Sequence, residues 1–370
     1  MQNFDPLINK ILNTHDQALK TPANTPCCFI GFDGFTDKII SPVDQRIDKN
    51  NFKSIPTMND FADRIRDASG KSCNIELVVD RVKIGGNAPI LTNALLEGGH
   101  RVTFAGAIGE PGSVEPIFRD MASRCEHVIS LCPSGHTDAI EFQDGKVLLG
   151  KHQVLERVNY DSLLEQMGRD ELTSILEKAD LWVSVNWTML PMMTRIWKSI
   201  AEELCPKLTK RKRLMFVDMA DPAKRTDQDL LEAIEILKNL NNTFEVILGL
   251  NQAEASRVAE ILLCKSNPEE IQKKSGLNQV IIHTQKSAIG YDGKKLVEIN
   301  SPYVPNPVIK TGAGDNFNAG FCNGLLYKLK LEECLICGVF TAGYYVRKGK
   351  SPSIPELTQF MKQYLQEEKS

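Results

Sequence analysis

The chain has 370 residues, 42% hydrophobic and 25% charged, with a net charge of −3 at pH 7. These values fit a globular protein with one large α/β domain or two smaller ones, and give no electrostatic ground for binding nucleic acid. No apolar run approaches membrane-spanning length, the first residues lack signal-peptide character, and the ten cysteines show no framework spacing, so a reducing cytoplasm is the expected setting.

An amphipathic helix is expected over 4–19, where Phe4, Leu7, Ile8, Ile11 and Leu12 fall on one face. A buried strand over 27–32 runs into Gly31-Phe32-Asp33-Gly34-Phe35-Thr36-Asp37. A short helix is expected over 57–68 and an alternating, half-exposed strand over 74–84. Gly85-Gly86-Asn87 then opens a helix over 89–97, which Gly98-Gly99 ends. Further strands are expected over 102–107, 179–185, 214–217, 245–249 and 280–283, with helical patterns between most of them. Such alternation predicts a mostly parallel sheet covered by helices on both faces. Three more polar, strand-like segments, 34–48, 72–84 and 137–153, break the rhythm and predict a small separate sheet, a lid. The basic run Lys210-Arg211-Lys212-Arg213 is expected to cap a helix end or face solvent. Cys27-Cys28 and Cys334-x-x-Cys337 read as buried thiols, since no second pair or histidine pattern accompanies either.

The segment richest in chemistry is Lys310-Thr311-Gly312-Ala313-Gly314-Asp315-Asn316-Phe317-Asn318-Ala319-Gly320-Phe321. Pro302, Pro305 and Pro307 hold the chain before it extended, two glycines permit a tight turn, and Phe317, Phe321 and Leu325 give a helical face. The first amides of such a helix point outward, where an anion can sit, with the Asp315 carboxylate at the rim. Alone, this pattern divides evenly between a capped helix and a phosphoryl-transfer centre with Asp315 as base. It is not a dinucleotide fingerprint, because Phe317 stands where the third glycine belongs; Gly349-Lys350-Ser351 is not a P-loop, because Tyr344 stands where its first glycine belongs. Asn251-x-x-Glu254 follows a strand at the edge where open α/β sheets bind ligands, although alone it reads as a helix start. Asp221-Pro222-x-Lys224-Arg225 reads alone as a turn.

In this order, the motifs resemble the ribokinase-like, or PfkB, family of carbohydrate kinases. The resemblance runs through Gly31-Phe32-Asp33, Gly85-Gly86, Gly106-Ala107-Ile108-Gly109, Asn251-x-x-Glu254 and Thr311-Gly312-Ala313-Gly314-Asp315-x-Phe317-x-Ala319-Gly320-Phe321. It ends in Arg347-Lys348-Gly349-x-x-Pro352-Ser353-Ile354-Pro355, and the Thr311–Phe321 string is the most specific part. It implies a single α/β/α domain over 1–370 with a mostly parallel sheet, the β lid, and a nucleotide-binding half over about 210–370. It further implies transfer of the ATP γ-phosphoryl to a sugar hydroxyl. Asp315 would be the base, the Gly312, Ala313 and Gly314 amides the anion hole, and Mg²⁺ would act on the phosphates. Asn251 and Glu254 occupy the motif linked indirectly to the hydrated metal. Thr284, Lys286 and Thr311 fall on the nucleotide side, and Asp33, Asp37, Gly85, Gly86 and Asn87 on the sugar side.

The chain departs from the family pattern at three places. Ile90 replaces a frequent sugar-contacting Asn. Thr284-Gln285-Lys286-Ser287 is a shortened nucleotide segment without its glycine. Ile309-Lys310 replaces the usual Asp-Thr, which removes an acid that helps ligate a monovalent cation and argues against potassium activation; the Lys310 ammonium is an alternative charge at that place. Residues 49–71 read as an insertion over the lid that shapes substrate access or a subunit contact. Pairing of two copies through the lid is a further expectation. The rival readings are a nucleoside kinase, with Phe35, Phe52 or Phe142 stacking on a base, and a non-catalytic regulator that binds sugar or nucleotide.

Overall fold

The computed structural model describes residues 5–20, 25–309 and 311–367, so Phe4 and Lys310 lie outside the described residues. In chain order the strands are β1 (Cys27–Phe32), β2 (Phe35–Arg46), β3 (Phe52–Ser54), β4 (Leu77–Gly85), β5 (Arg101–Gly106), β6 (His127–Ser130) and β7 (Gly135–Glu141). They continue as β8 (Lys146–Lys151), β9 (Leu181–Val185), β10 (Arg213–Asp218), β11 (Phe244–Asn251), β12 (Gln279–His283), β13 (Ser287–Tyr291) and β14 (Leu296–Asn300).

The nine-stranded sheet has the order β14-β13-β12-β11-β10-β9-β1-β5-β6. Its strands are parallel from β6 to β12; β13 and β14 add an antiparallel edge. The central strands are apolar at nearly every position because helices cover both faces. In β9, Trp182 feeds one core while Leu181, Val183 and Val185 feed the other; in β10, Met215 and Val217 oppose Phe216. The chain leaves β1 toward β5 and β6 and returns on its other side through β9 to β12. The strand order therefore switches beside β1, which opens a crevice at the carboxyl ends of β1 and β9.

The second sheet has five strands, with β2 at its centre pairing β3, β4 and β7, and β8 closing the far edge. It departs directly from β1, with only Asp33 and Gly34 between the two sheets. The 49–71 segment forms β3 and the helix Met58–Asp67, a helix without a buried residue that contacts the β7–β8 hairpin through Phe61 and Phe142, ring centroids 5.3 Å apart.

The basic run requires a correction. Arg211 does cap a helix end, donating to the Lys178 and Ala179 carbonyls after the helix Arg169–Lys178. Arg213 does not face solvent. It starts β10 only 1% exposed, donates to the Thr209 and Arg211 carbonyls, and pairs with Glu177 at 2.6 Å. Its burial is compatible with its charge because the guanidinium finds acceptors on several sides.

The helix Ala313–Leu326 is buried on nearly all sides, packed between the helices Asn87–Glu97 and Leu331–Lys348. Close packing of this kind leaves no room at Gly320, where a Cβ would lie 2.6 Å from the Cys337 carbonyl oxygen. Gly320→Ala is therefore expected to destabilise the protein by about 1–3 kcal/mol through overpacking. Helix propensity alone would favour Ala by about 1 kcal/mol. Thermal unfolding decides between the two; a raised midpoint would contradict this packing.

Candidate active site

The glycine turn is built to expose amides. Gly312 has a φ of 89°, a region that L side chains rarely adopt, and it serves as N-cap of the helix Ala313–Leu326. The Tyr345 hydroxyl donates to the Thr311 carbonyl at 3.1 Å and fixes the approach to the turn. The first intrahelical bond runs from the Asn316 amide to the Gly312 carbonyl at 3.1 Å, which leaves the preceding amides free of intrahelical acceptors. A helix start with open amides and a positive dipole end is an anion site.

Asp315 sits in this first turn, 9% exposed. Burial, then the nearby Asp218 and Asp33 carboxylates, push its pKa well above the ordinary value, against the opposing effect of a bond to the Asn87 side chain. Asp218, at the end of β10, accepts from the Ala220 amide and from Asn318 Nδ2, each at 2.7 Å. Burial raises its pKa as well. Asn251 and Glu254 form a capping box at the start of the helix Gln252–Ile261. Asn251 Oδ1 accepts from the Glu254 amide at 3.0 Å, and Glu254 accepts from the Asn251 amide at 2.8 Å. Unlike a solvated cap, Glu254 is buried, and desolvation followed by the Asp218 charge pushes its pKa up to about 9.

On the other side of the crevice, Asp33 is fully buried and anchors the start of the helix Asn87–Glu97. Its carboxylate accepts from the Asn87 amide at 2.9 Å, the Ala88 amide at 2.8 Å and Asn186 Nδ2 at 2.6 Å. Burial raises its pKa to about 6 in spite of those donors. Gly86, with a φ of 94°, lets the backbone turn against this carboxylate, and a Cβ there would lie 2.9 Å from Asp33 Oδ2. Asp37 lies further along β2, opposite Lys83 of β4, hydrogen-bonded to Thr137, with Gly85 packed against its carboxylate. Burial raises its pKa, and the Lys83 and Lys146 charges oppose that rise. Asn186 Oδ1 is buried without a hydrogen-bond partner, on the amide whose nitrogen donates to Asp33.

A cavity of about 710 Å³ opens beside Ala313 and Gly314, between Asn251 and Thr284 on one wall and Val339, Gly343 and Val346 on the other. It joins an amide-lined end to an apolar wall, as a nucleotide requires. Thr284 lines it, although its hydroxyl is occupied as acceptor for the Lys286 and Ser287 amides. Lys286 is not among the lining residues; its ammonium lies 6.0 Å from the centre of the Tyr303 ring, which is one of them. Phe35, Phe52 and Phe142 are engaged in lid packing, against His152, Arg46 and Phe61 respectively.

With this geometry in place, comparison with known proteins is specific. The family model for prokaryotic ketohexokinase matches residues 9–364. The chain belongs to this family. It is 27% identical over 342 residues to a ketohexokinase of Haloferax volcanii, covering 90% of each chain. Among solved structures, the ribokinase of Arabidopsis thaliana, complexed with ribose and ATP, aligns with a TM-score of 0.62 at 16% identity, over 91% of this chain and 99% of its own. A nucleoside kinase of Methanocaldococcus jannaschii aligns with a TM-score of 0.60 at 14% identity, over 92% and 99%. The fold is ribokinase-like, and the protein is an ATP-dependent carbohydrate kinase. No helix among the described residues is long and apolar enough to cross a membrane.

Sequence reasoning brought Asp33, Gly86, Asn87, Asn251, Glu254, Gly312 and Asp315 to this one crevice. It missed Asn186, Asp218 and Asn318. For Asn186 and Asp218 the available signal was a polar residue at or just past the end of a buried strand, at the sheet edge where ligands gather; Asn318 lies one turn into the helix Ala313–Leu326 and carried no such signal. Asp218 has a measurable consequence. Its charge disfavours ionised Asp315, so Asp218→Asn is expected to lower the Asp315 pKa and, with Asp315 as the base proposed below, to move the acid limb of the kcat/KM profile to lower pH. A limb that stayed in place or moved to higher pH would contradict this coupling.

Proposed function

We propose that the protein phosphorylates a ketohexose at the expense of ATP, with Asp315 as general base. The observation that carries this reading is the position of Asp315. It lies in the first turn of an anion-binding helix and is bonded to Asn87, whose own backbone amide is held by the Asp33 carboxylate. The base is thus tied to both the phosphoryl side and the sugar side of the crevice. Membership in the prokaryotic ketohexokinase family supports a ketohexose as acceptor.

In the proposed reaction the acceptor hydroxyl gives its proton to Asp315 as its oxygen bonds to the γ-phosphorus. The bond from phosphorus to the bridging oxygen breaks, and ADP leaves with that electron pair. The Gly312–Gly314 amides hold the negative charge on the transferring group without reorganising. Asp33, with three of its roughly four acceptor positions filled, keeps one for a sugar hydroxyl. Asp37 and Asn186 Oδ1 offer further acceptors, and Asn87 with Gly85 and Gly86 shapes the wall between them.

The residues present fit a hydrated Mg²⁺. Buried, charge-repelling carboxylates at Asp218, Glu254 and Asp315 favour a divalent cation nearby. No group of three or more ligating side chains able to hold a metal occurs among the described residues. Asn251 and Glu254 would hold the ion through its water, and the ion would neutralise phosphate charge. Thr284, Thr311, Lys286 and the walls of the large cavity belong to the proposed nucleotide side, within the half of the chain from about 210 to 370. The exposed Leu77, Val79, Val82, Leu148 and Leu149 of the lid favour pairing of two copies through that sheet.

Asp315→Asn is the test. Loss of the base is expected to lower kcat by about 10²–10⁴-fold with the unfolding midpoint retained. Undiminished transfer from ATP to a ketohexose would remove Asp315 from this role.

A further inference from the structure

Lys146 begins β8, on the lid, and its ammonium donates to the Thr311 hydroxyl at 3.0 Å. Thr311 directly precedes Gly312, so a lid-borne cation reaches the turn that opens the anion-binding helix. The same ammonium acts electrostatically on Asp37, on the sugar side of the lid. Lys146 therefore stands between the proposed acceptor site and the proposed anion hole. Its hydrogen-bond partner is a neutral hydroxyl, whereas Lys151 at the other end of the strand is paired with Asp138 at 2.6 Å. Lys83 also acts on Asp37, but from β4, directly across the strand pair.

The crevice has an electrostatic need that such a cation meets. Asp33, Asp218, Glu254 and Asp315 place buried carboxylates around the position that a polyanionic phosphate chain must approach. Free amides supply only partial charges. A lysine carries a full charge and three N–H donors on a flexible stem, so it can keep the Thr311 bond and still present an N–H to a second group.

We propose that Lys146 is a catalytic cation that contacts the transferring phosphoryl group from the lid, beside the glycine turn whose amides hold it. This inference rests on the phosphoryl-transfer reading above. As the bond to the bridging oxygen breaks, the phosphoryl group moves away from the nucleotide toward the acceptor hydroxyl, on the Asp37 side that the Lys146 ammonium also reaches. Its charge is therefore better matched to the transition state than to bound ATP, and its loss falls on kcat.

The test compares wild type, Lys146→Met and Lys146→Arg with ATP and a ketohexose. Lys146→Met is expected to lower kcat at least about tenfold with both KM values within about twofold, and Lys146→Arg to recover much of the loss. Calorimetry gives a second reading. In Lys146→Met, the affinity for ADP alone should hold, and that for ADP with aluminium fluoride and the ketohexose should fall by a similar factor. A kcat within about twofold of wild type would overturn the proposal, as would a loss carried by the ketohexose KM, which marks a lid latch or a sugar contact. In either case wild-type transfer would leave the kinase reading intact; absence of transfer in wild type would instead remove that reading.

Discussion

The site depends on carboxylates buried where they repel one another. Asp33, Asp218, Glu254 and Asp315 are each less than a tenth exposed, and Coulomb repulsion links Asp315 to Asp218 and Asp33, and Glu254 to Asp218 and Asp315. Burial of this kind is unfavourable without donors or cations. The fold supplies donors at fixed places: the start of one helix for Asp33, the Ala220 amide and Asn318 for Asp218, and a capping box for Glu254. Asp315 is compensated by the Asn87 side chain and by a backbone amide, and its pKa stays well above the ordinary value. The same repulsion favours a cation beside these carboxylates.

Sheet topology explains why these groups meet. Parallel strands bring their carboxyl ends to one edge, and the order reversal beside β1 opens that edge. The lid leaves the main sheet at the same place. Asp33 and Gly34 alone separate β1 from β2, so the residue that fixes the start of the helix Asn87–Glu97 also sits where the lid joins the main sheet. Asp33 thus links the departure of the lid to the start of that helix. The contact between Lys146 and Thr311 ties the lid's far end to the glycine turn.

Much of this was legible in the sequence. The parallel core strands could be read because two-sided burial demands continuous apolar runs, as in Cys27–Phe32 and Leu181–Val185. The glycine turn was legible because Gly312 and Gly86 occupy backbone conformations that ordinary residues avoid. β13 and β14 were not, because edge strands such as Leu296–Asn300 alternate with exposed polar residues and lack the core signature. Asn186, Asp218 and Asn318 escaped notice because their importance arises from three-dimensional convergence and from no local spacing. Arg213 was misplaced because a charge run suggests solvent, and only the fold shows the carbonyls that satisfy it. Lys146 reads as an ordinary hairpin lysine until the lid is placed over Thr311.

The most direct test of the proposed centre is a crystal structure with a ketohexose and a non-hydrolysable ATP analogue bound together. The account predicts one sugar hydroxyl within hydrogen-bond distance of an Asp315 carboxylate oxygen, in line with a γ-phosphate seated on the amides at Gly312 to Gly314. A hydroxyl presented to a different residue, or a γ-phosphate bound away from that helix start, would contradict it.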